Sequence, residues 1–97
     1  MKKRDSILIV EDDSLLRNSI KNILERREYR VGEANSVKTA IQTLRKKVFD
    51  LILLDITLKD GSGMDVLRKV SNIYKNRVII ISGTGTIDIA VEAITMG

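Results

Sequence analysis

Apolar positions along the chain follow two alternating patterns. Unbroken aliphatic runs occur at Ile7-Leu8-Ile9-Val10, Leu51-Ile52-Leu53-Leu54 and Val78-Ile79-Ile80-Ile81. Between them, apolar residues recur at three- and four-residue spacing. The first pattern is that of strands buried on both faces, the second that of one face of a helix. Residues 7–11 therefore predict a strand. Leu16, Ile20, Ile23 and Leu24 predict a helix from Ser14 to Arg27, with Asp13 placed to cap it. Residues 29–34 are more polar and suit an edge strand. Ser36 can cap a helix bearing Val37, Ala40, Ile41 and Leu44, and Phe49 to Ile56 forms the third strand. A turn at Lys59-Asp60-Gly61-Ser62-Gly63 leads into a helix with Met64, Val66, Leu67 and Val70 on its apolar side. Arg77 to Ser82 makes a fourth strand. Thr86 caps a last helix bearing Ile87, Ala90, Val91 and Ile94, and Gly97 stands where a helix-ending glycine belongs.

Strict alternation of strand and helix, with continuous aliphatic strands, implies an α/β fold: a parallel sheet covered by helices on both faces. Right-handed crossovers place the C-terminal ends of all its strands on one rim. The expected architecture is a flavodoxin-like doubly wound sheet of four strands in the order 2-1-3-4, whose first and third strands flank the point where strand order reverses. Residues 1–97 form one domain without linkers or low-complexity segments. Ligands of such sheets bind at the reversal point, on the rim where Glu11-Asp12-Asp13, Asp55 and Ser82 all fall.

Composition narrows the chemistry. There is no cysteine and no histidine, so thiolate nucleophiles, histidine bases and zinc sites of the usual ligands are excluded. No signal peptide and no membrane-length apolar stretch is visible, which fits a reducing, cytoplasmic setting. The net charge of +4 and pI near 9.6 raise the question of nucleic acid. Arg26-Arg27, Arg45-Lys46-Lys47 and Arg68-Lys69, however, fall late in helical patterns, where cations complement the helix dipole. No basic run interleaves with aromatics. Direct nucleic-acid binding is not expected.

Clustered carboxylates repel one another, and such a site calls for a proton or a divalent cation. Oxygen ligands from two strands suit Mg2+, which typically takes one or two protein carboxylates, several waters and a phosphate. Asp12 and Asp13 form a pair suited to the metal. Asp55, alone at the tip of a buried strand, is the better candidate for a nucleophile toward phosphorus. Ser82 could donate a hydrogen bond to the transferred group. Taken singly, Asp13 reads equally well as a helix cap and Asp55 as a strand end. Their convergence on one rim favours the functional reading. Gly83-Thr84-Gly85 is not followed by the Gly-Lys-Ser/Thr of a phosphate-binding loop and reads as a mobile loop, while Gly61 and Gly63 serve the turn.

Asp12-Asp13, Leu53-Leu54-Asp55-Ile56, Asp60-Gly61-Ser62-Gly63-Met64 and Ile80-Ile81-Ser82-Gly83, in that order, closely resemble the receiver domain of bacterial two-component response regulators. The stretch from Ser82 to Ile94 is most similar to receivers of nitrogen-regulator-type transcriptional activators. The resemblance implies that Asp55 accepts a phosphoryl group from a histidine of a sensor kinase. It also implies that Asp12, Asp13, Asp55 and the backbone carbonyl of Thr57 bind Mg2+, directly or through water. Ser82 would bond the phosphoryl oxygen and move on phosphorylation, reshaping the loop and helix after it. Two other functions compete: a non-phosphorylated protein-interaction module, and an aspartyl phosphohydrolase. The hydrolase would usually carry a second acid two residues after the nucleophile, where this chain has Thr57.

The chain also departs from the family pattern. It has no proline near Lys59. The fifth strand with its phosphate-contacting lysine, the nearby aromatic and the fifth helix are not found before Gly97, so a C-terminally truncated receiver lacking the fifth βα unit is expected. Such a chain would expose the edge of the 78–81 strand and is expected to self-associate through it.

Overall fold

The computed structural model describes residues 2–70, 74 and 77–81. The elements are β1 (Ser6–Val10), α1 (Ser14–Arg26), β2 (Arg30–Ala34), α2 (Val37–Lys46), β3 (Leu51–Asp55), β4 (Thr57–Leu58), β5 (Gly61–Ser62), α3 (Gly63–Lys69) and β6 (Val78–Ile81). The four long strands form one parallel sheet in the order β2-β1-β3-β6. With β6 as the fourth long strand, this is the 2-1-3-4 order expected from the sequence. The last helix, its Thr86 cap and the loop from Ser82 onward lie outside the described residues.

Alternation along the strands builds two cores. Leu8, Val10, Ile52 and Leu54 face α2 and α3, packing with Val37, Ala40, Ile41, Leu44 and Val66. Ile7, Ile9, Leu51 and Leu53 face α1, packing with Ile20 and Leu24. Both faces of β1 and β3 are thus dry, which is why these strands read as continuous aliphatic runs rather than alternating ones. β2 sits at the edge with only Ala34 fully buried, in keeping with its polar composition. Gly32 in β2 has a packing reason. A Cβ there would lie 2.7 Å from Cε1 and Cζ of Phe49, so the glycine admits the aromatic ring. Tyr74 closes the same core, its hydroxyl accepting the backbone N–H of Phe49 at 3.0 Å.

The helices begin where the caps predict. Asp13 Oδ1 accepts the N–H groups of Leu15 and Leu16, and Ser36 Oγ that of Thr39. α2 has a second cap that comes from elsewhere in the chain. Asp60 Oδ1 accepts the N–H of Val37 at 2.8 Å and Oδ2 that of Lys38 at 3.1 Å. The expected turn at 59–63 proves more ordered than a turn. Thr57–Leu58 and Gly61–Ser62 pair antiparallel as a small hairpin whose two-residue loop is Lys59-Asp60. Gly61 takes φ +152°, a conformation that disfavours a side chain. Among the described residues, no helix is long and apolar enough to cross a membrane.

Candidate functional site

β1 and β3 are hydrogen-bonded neighbours, with Val10 opposite Leu54, so the residues after Val10 and at the end of β3 meet on one rim. Carboxylate oxygens of Glu11, Asp12 and Asp55 all lie within 4.8 Å of one another. Glu11 is 4% exposed and Asp55 8% exposed. Asp12 is half-buried. Of the predicted site residues, the structure brings Asp12 and Asp55 together. Asp13 stands outside the trio, exposed and engaged through Oδ1 in capping α1. The third carboxylate is Glu11, which the sequence placed on the rim but not in the metal-binding set.

The electrostatics follow from this packing. Burial pushes the Glu11 carboxyl up to about 7, and a hydrogen bond with Asp55 and the charge of Asp55 act in the same direction. The N–H of Asp13, 3.3 Å from Glu11 Oε2, pulls the other way. Burial is the main cause of this rise, and the neighbouring acids add to it.

The backbone around the acids is tied down from several sides. The N–H of Thr57 donates to Asp55 Oδ1 at 3.1 Å. The N–H of Gly63 donates to the carbonyl of Ile56 at 2.7 Å. A Cβ at Gly63 would collide with the carbonyl of Asp55, so glycine is needed for α3 to start this close to the strand end. Arg17 on α1 supports the other strand end. Its Nη1 donates to the carbonyl of Glu11 at 2.7 Å, and its Nε donates to Glu33 Oε1 at 3.2 Å. Lys21 Nζ reaches the other oxygen of Glu33 at 3.3 Å. Arg17 was not anticipated. Its position one turn after the Asp13 cap, on the flank of the apolar stripe, is the signal that could have marked it. Ser82, the predicted hydroxyl, lies outside the described residues.

The donor set fits a hard divalent cation. All three converging side chains offer oxygen, and none offers nitrogen or sulfur.

Comparison with known proteins agrees with the fold. The response regulator receiver domain family matches residues 7–97. Among curated proteins, the chain is 38% identical over 92 residues to the alginate biosynthesis transcriptional regulatory protein AlgB of Pseudomonas putida, covering 94% of this chain and 20% of that protein. The chain spans about a fifth of the length of the first curated relatives it matches. Among solved structures, a CheY-like receiver domain protein from Methanospirillum hungatei superposes with a TM-score of 0.76 at 30% identity, covering 96% of this chain and 75% of that one. The response regulator TrrA of Thermotoga maritima, solved in complex with Mg2+ and BeF, superposes with a TM-score of 0.69 at 27% identity, covering 80% of this chain and 67% of that one. The chain belongs to the response regulator receiver domain family.

Proposed function

We propose that this receiver is the phosphoacceptor of a two-component system and that Asp55 takes the phosphoryl group. The observation that carries the reading is the position of Asp55. It ends the central strand at the reversal point, with a carboxylate oxygen within 4.8 Å of those of Glu11 and Asp12. The donor is a phosphohistidine of a sensor kinase, which places the chain in the cytoplasm. An Asp55 carboxylate oxygen attacks phosphorus, the P–N bond breaks, and the electron pair returns to the imidazole nitrogen. The products are an acyl phosphate on Asp55 and free histidine.

Glu11, Asp12, Asp55 and the backbone carbonyl of Thr57 would hold Mg2+, with Asp13 left as the helix cap. When bound, the cation neutralises the carboxylates and the incoming phosphoryl oxygens. The Thr57 N–H on Asp55 Oδ1 holds that oxygen of the carboxylate in place. Ser82 would bond a phosphoryl oxygen and carry the change into the loop after β6. TrrA, solved with Mg2+ and BeF, supports the pairing of cation and anion in this fold.

The test is intact-mass measurement after incubation with Mg2+ and acetyl phosphate. We expect one hydroxylamine-labile phosphoryl adduct in the wild type and none in Asp55→Asn. A folded wild-type chain that takes no adduct, or an Asp55→Asn chain that still takes it, overturns the reading.

A further inference from the structure

Two residues after Asp55 the chain enters the β4–β5 hairpin, and the base of that hairpin is Thr57 paired with Ser62. The base is anchored by the N–H of Gly63 on the carbonyl of Ile56. It is anchored too by Asp65 Oδ2 on the N–H of Ser62 at 3.2 Å. At the tip, the two oxygens of Asp60 take the first N–H groups of α2. A two-residue loop joins the strands directly, so the tip and the base of this hairpin are only one residue pair apart. The α2 N–H groups are unsatisfied donors at the positive end of the helix dipole, so the bond is charge-assisted at both oxygens. Ser36 already supplies a local cap to this helix by accepting the N–H of Thr39. The Asp60 bonds therefore do more than complete α2. They join it to the segment that leaves the acid cluster.

We propose that Asp60 is a positioning residue of the metal site, holding the Thr57 carbonyl in place by pinning the hairpin tip to the N-terminus of α2. The proposal rests on the reading that the Thr57 carbonyl is a Mg2+ ligand. Leu58 is buried against the same core as Val37, and a Cβ at Gly61 would be 3.4 Å from Val37 Cγ2, so hairpin and helix start are already in contact. Loss of the Asp60 bonds would let the hairpin pivot about this contact while α2 keeps its Ser36 cap. Partners beyond the direct ligands typically change metal affinity by about 10–100-fold, and a residue acting through three intervening peptides belongs at the low end of that range.

The test is a titration with Mg2+ alone, followed by the backbone amide shifts of Glu11, Asp12 and Thr57, on the wild type, Asp60→Ala, Asp60→Asn and Ser36→Ala. Asp60→Ala is expected to weaken Mg2+ binding about tenfold, with Asp60→Asn in between because its amide oxygen can still accept one N–H. Ser36→Ala is expected to lower the melting temperature and bind Mg2+ as the wild type does. If Asp60→Ala binds within twofold of a wild type that binds, the positioning role is overturned and the metal site stands. If Ser36→Ala loses as much affinity as Asp60→Ala, the effect belongs to the stability of α2, and the positioning role again falls. A wild type that does not bind Mg2+ overturns both readings. Should Asp60→Ala fail to fold, Asp60→Asn decides by the same criterion.

Discussion

At the scale of single residues, the site turns on a one-place shift between two acids. Glu11 and Asp13 flank Asp12, and either could have met Asp55. The backbone decides between them. β1 ends at Val10, and Glu11 continues its course by donating its N–H to the carbonyl of Ala34, so the Glu11 side chain stays beneath the rim. Asp13 is two residues further on, where the chain turns into α1, and its side chain folds back onto the helix. A cap and a metal ligand call for the same residue type at the same kind of boundary, so pattern could not tell them apart. The two roles separate by experiment. Glu11→Gln is expected to weaken Mg2+ binding by tenfold or more with little loss of stability, since it removes a buried, partly protonated carboxyl. Asp13→Ala is expected to lose about 1 kcal/mol of stability with the loss of the cap and to keep its Mg2+ affinity. Urea denaturation and Mg2+ titration of both variants check this. That Asp12 and Asp55 meet was legible because strand ends at a reversal point are few and both lie there.

At the scale of elements, helix and strand placement was legible because each element combines a period with a boundary signal. α1 has Asp13 before it and basic residues at its end, and α2 has Ser36 before it and Arg45-Lys46 at its end. What escaped was whatever depends on two segments that are distant in sequence. The β4–β5 hairpin is too short to show a period, and its Asp60 is spent on α2, twenty-two and twenty-three residues away. Gly32 is the same kind of case. It weakens β2 as a strand when read alone, yet its missing side chain makes room for Phe49. Gly32→Ala should therefore cost stability despite alanine's better strand propensity. The Cβ would overlap the ring and force it to shift, which for overpacking of this kind costs about 1–3 kcal/mol. A lower urea midpoint with unchanged slope is the expected outcome. An unchanged midpoint would show that the ring moves freely.

At the scale of the whole molecule, topology sorts charge between the two rims. Helices run back against the strands, so Arg26, Arg45, Lys46, Arg68 and Lys69 at helix ends join Arg4, Arg30 and Arg77 at strand starts on one rim. Glu11, Asp12, Asp13, Asp55 and Asp60 occupy the other. The net charge of +4 is thus unevenly placed: the acids of the site share their rim with Lys38 and Lys59, while most of the basic helix ends lie at the other. The consequence is a linkage between pH, Mg2+ and stability. Glu11 holds its proton to about 7 in the folded chain, against an ordinary value of 4.5. Between these values the folded state carries a proton that the unfolded state has lost, so without metal, stability must fall as pH rises. The contribution is complete below pH 4.5 and is lost as pH rises through about 7, so most of the loss falls between pH 5 and 8. Asp60 works in the opposite sense but outside this window. Its bonds to the N–H groups of Val37 and Lys38 hold its pKa below 3.8, so its contribution is lost only in stronger acid. A bound divalent cation favours the ionised carboxylate and releases the proton, so Mg2+ should stabilise the fold strongly at pH 8 and weakly at pH 5. Urea denaturation across this range, with Mg2+ and with EDTA, measures both slopes. We expect a falling stability in EDTA, a flattened or rising one in Mg2+, and a loss of the difference between them in Glu11→Gln.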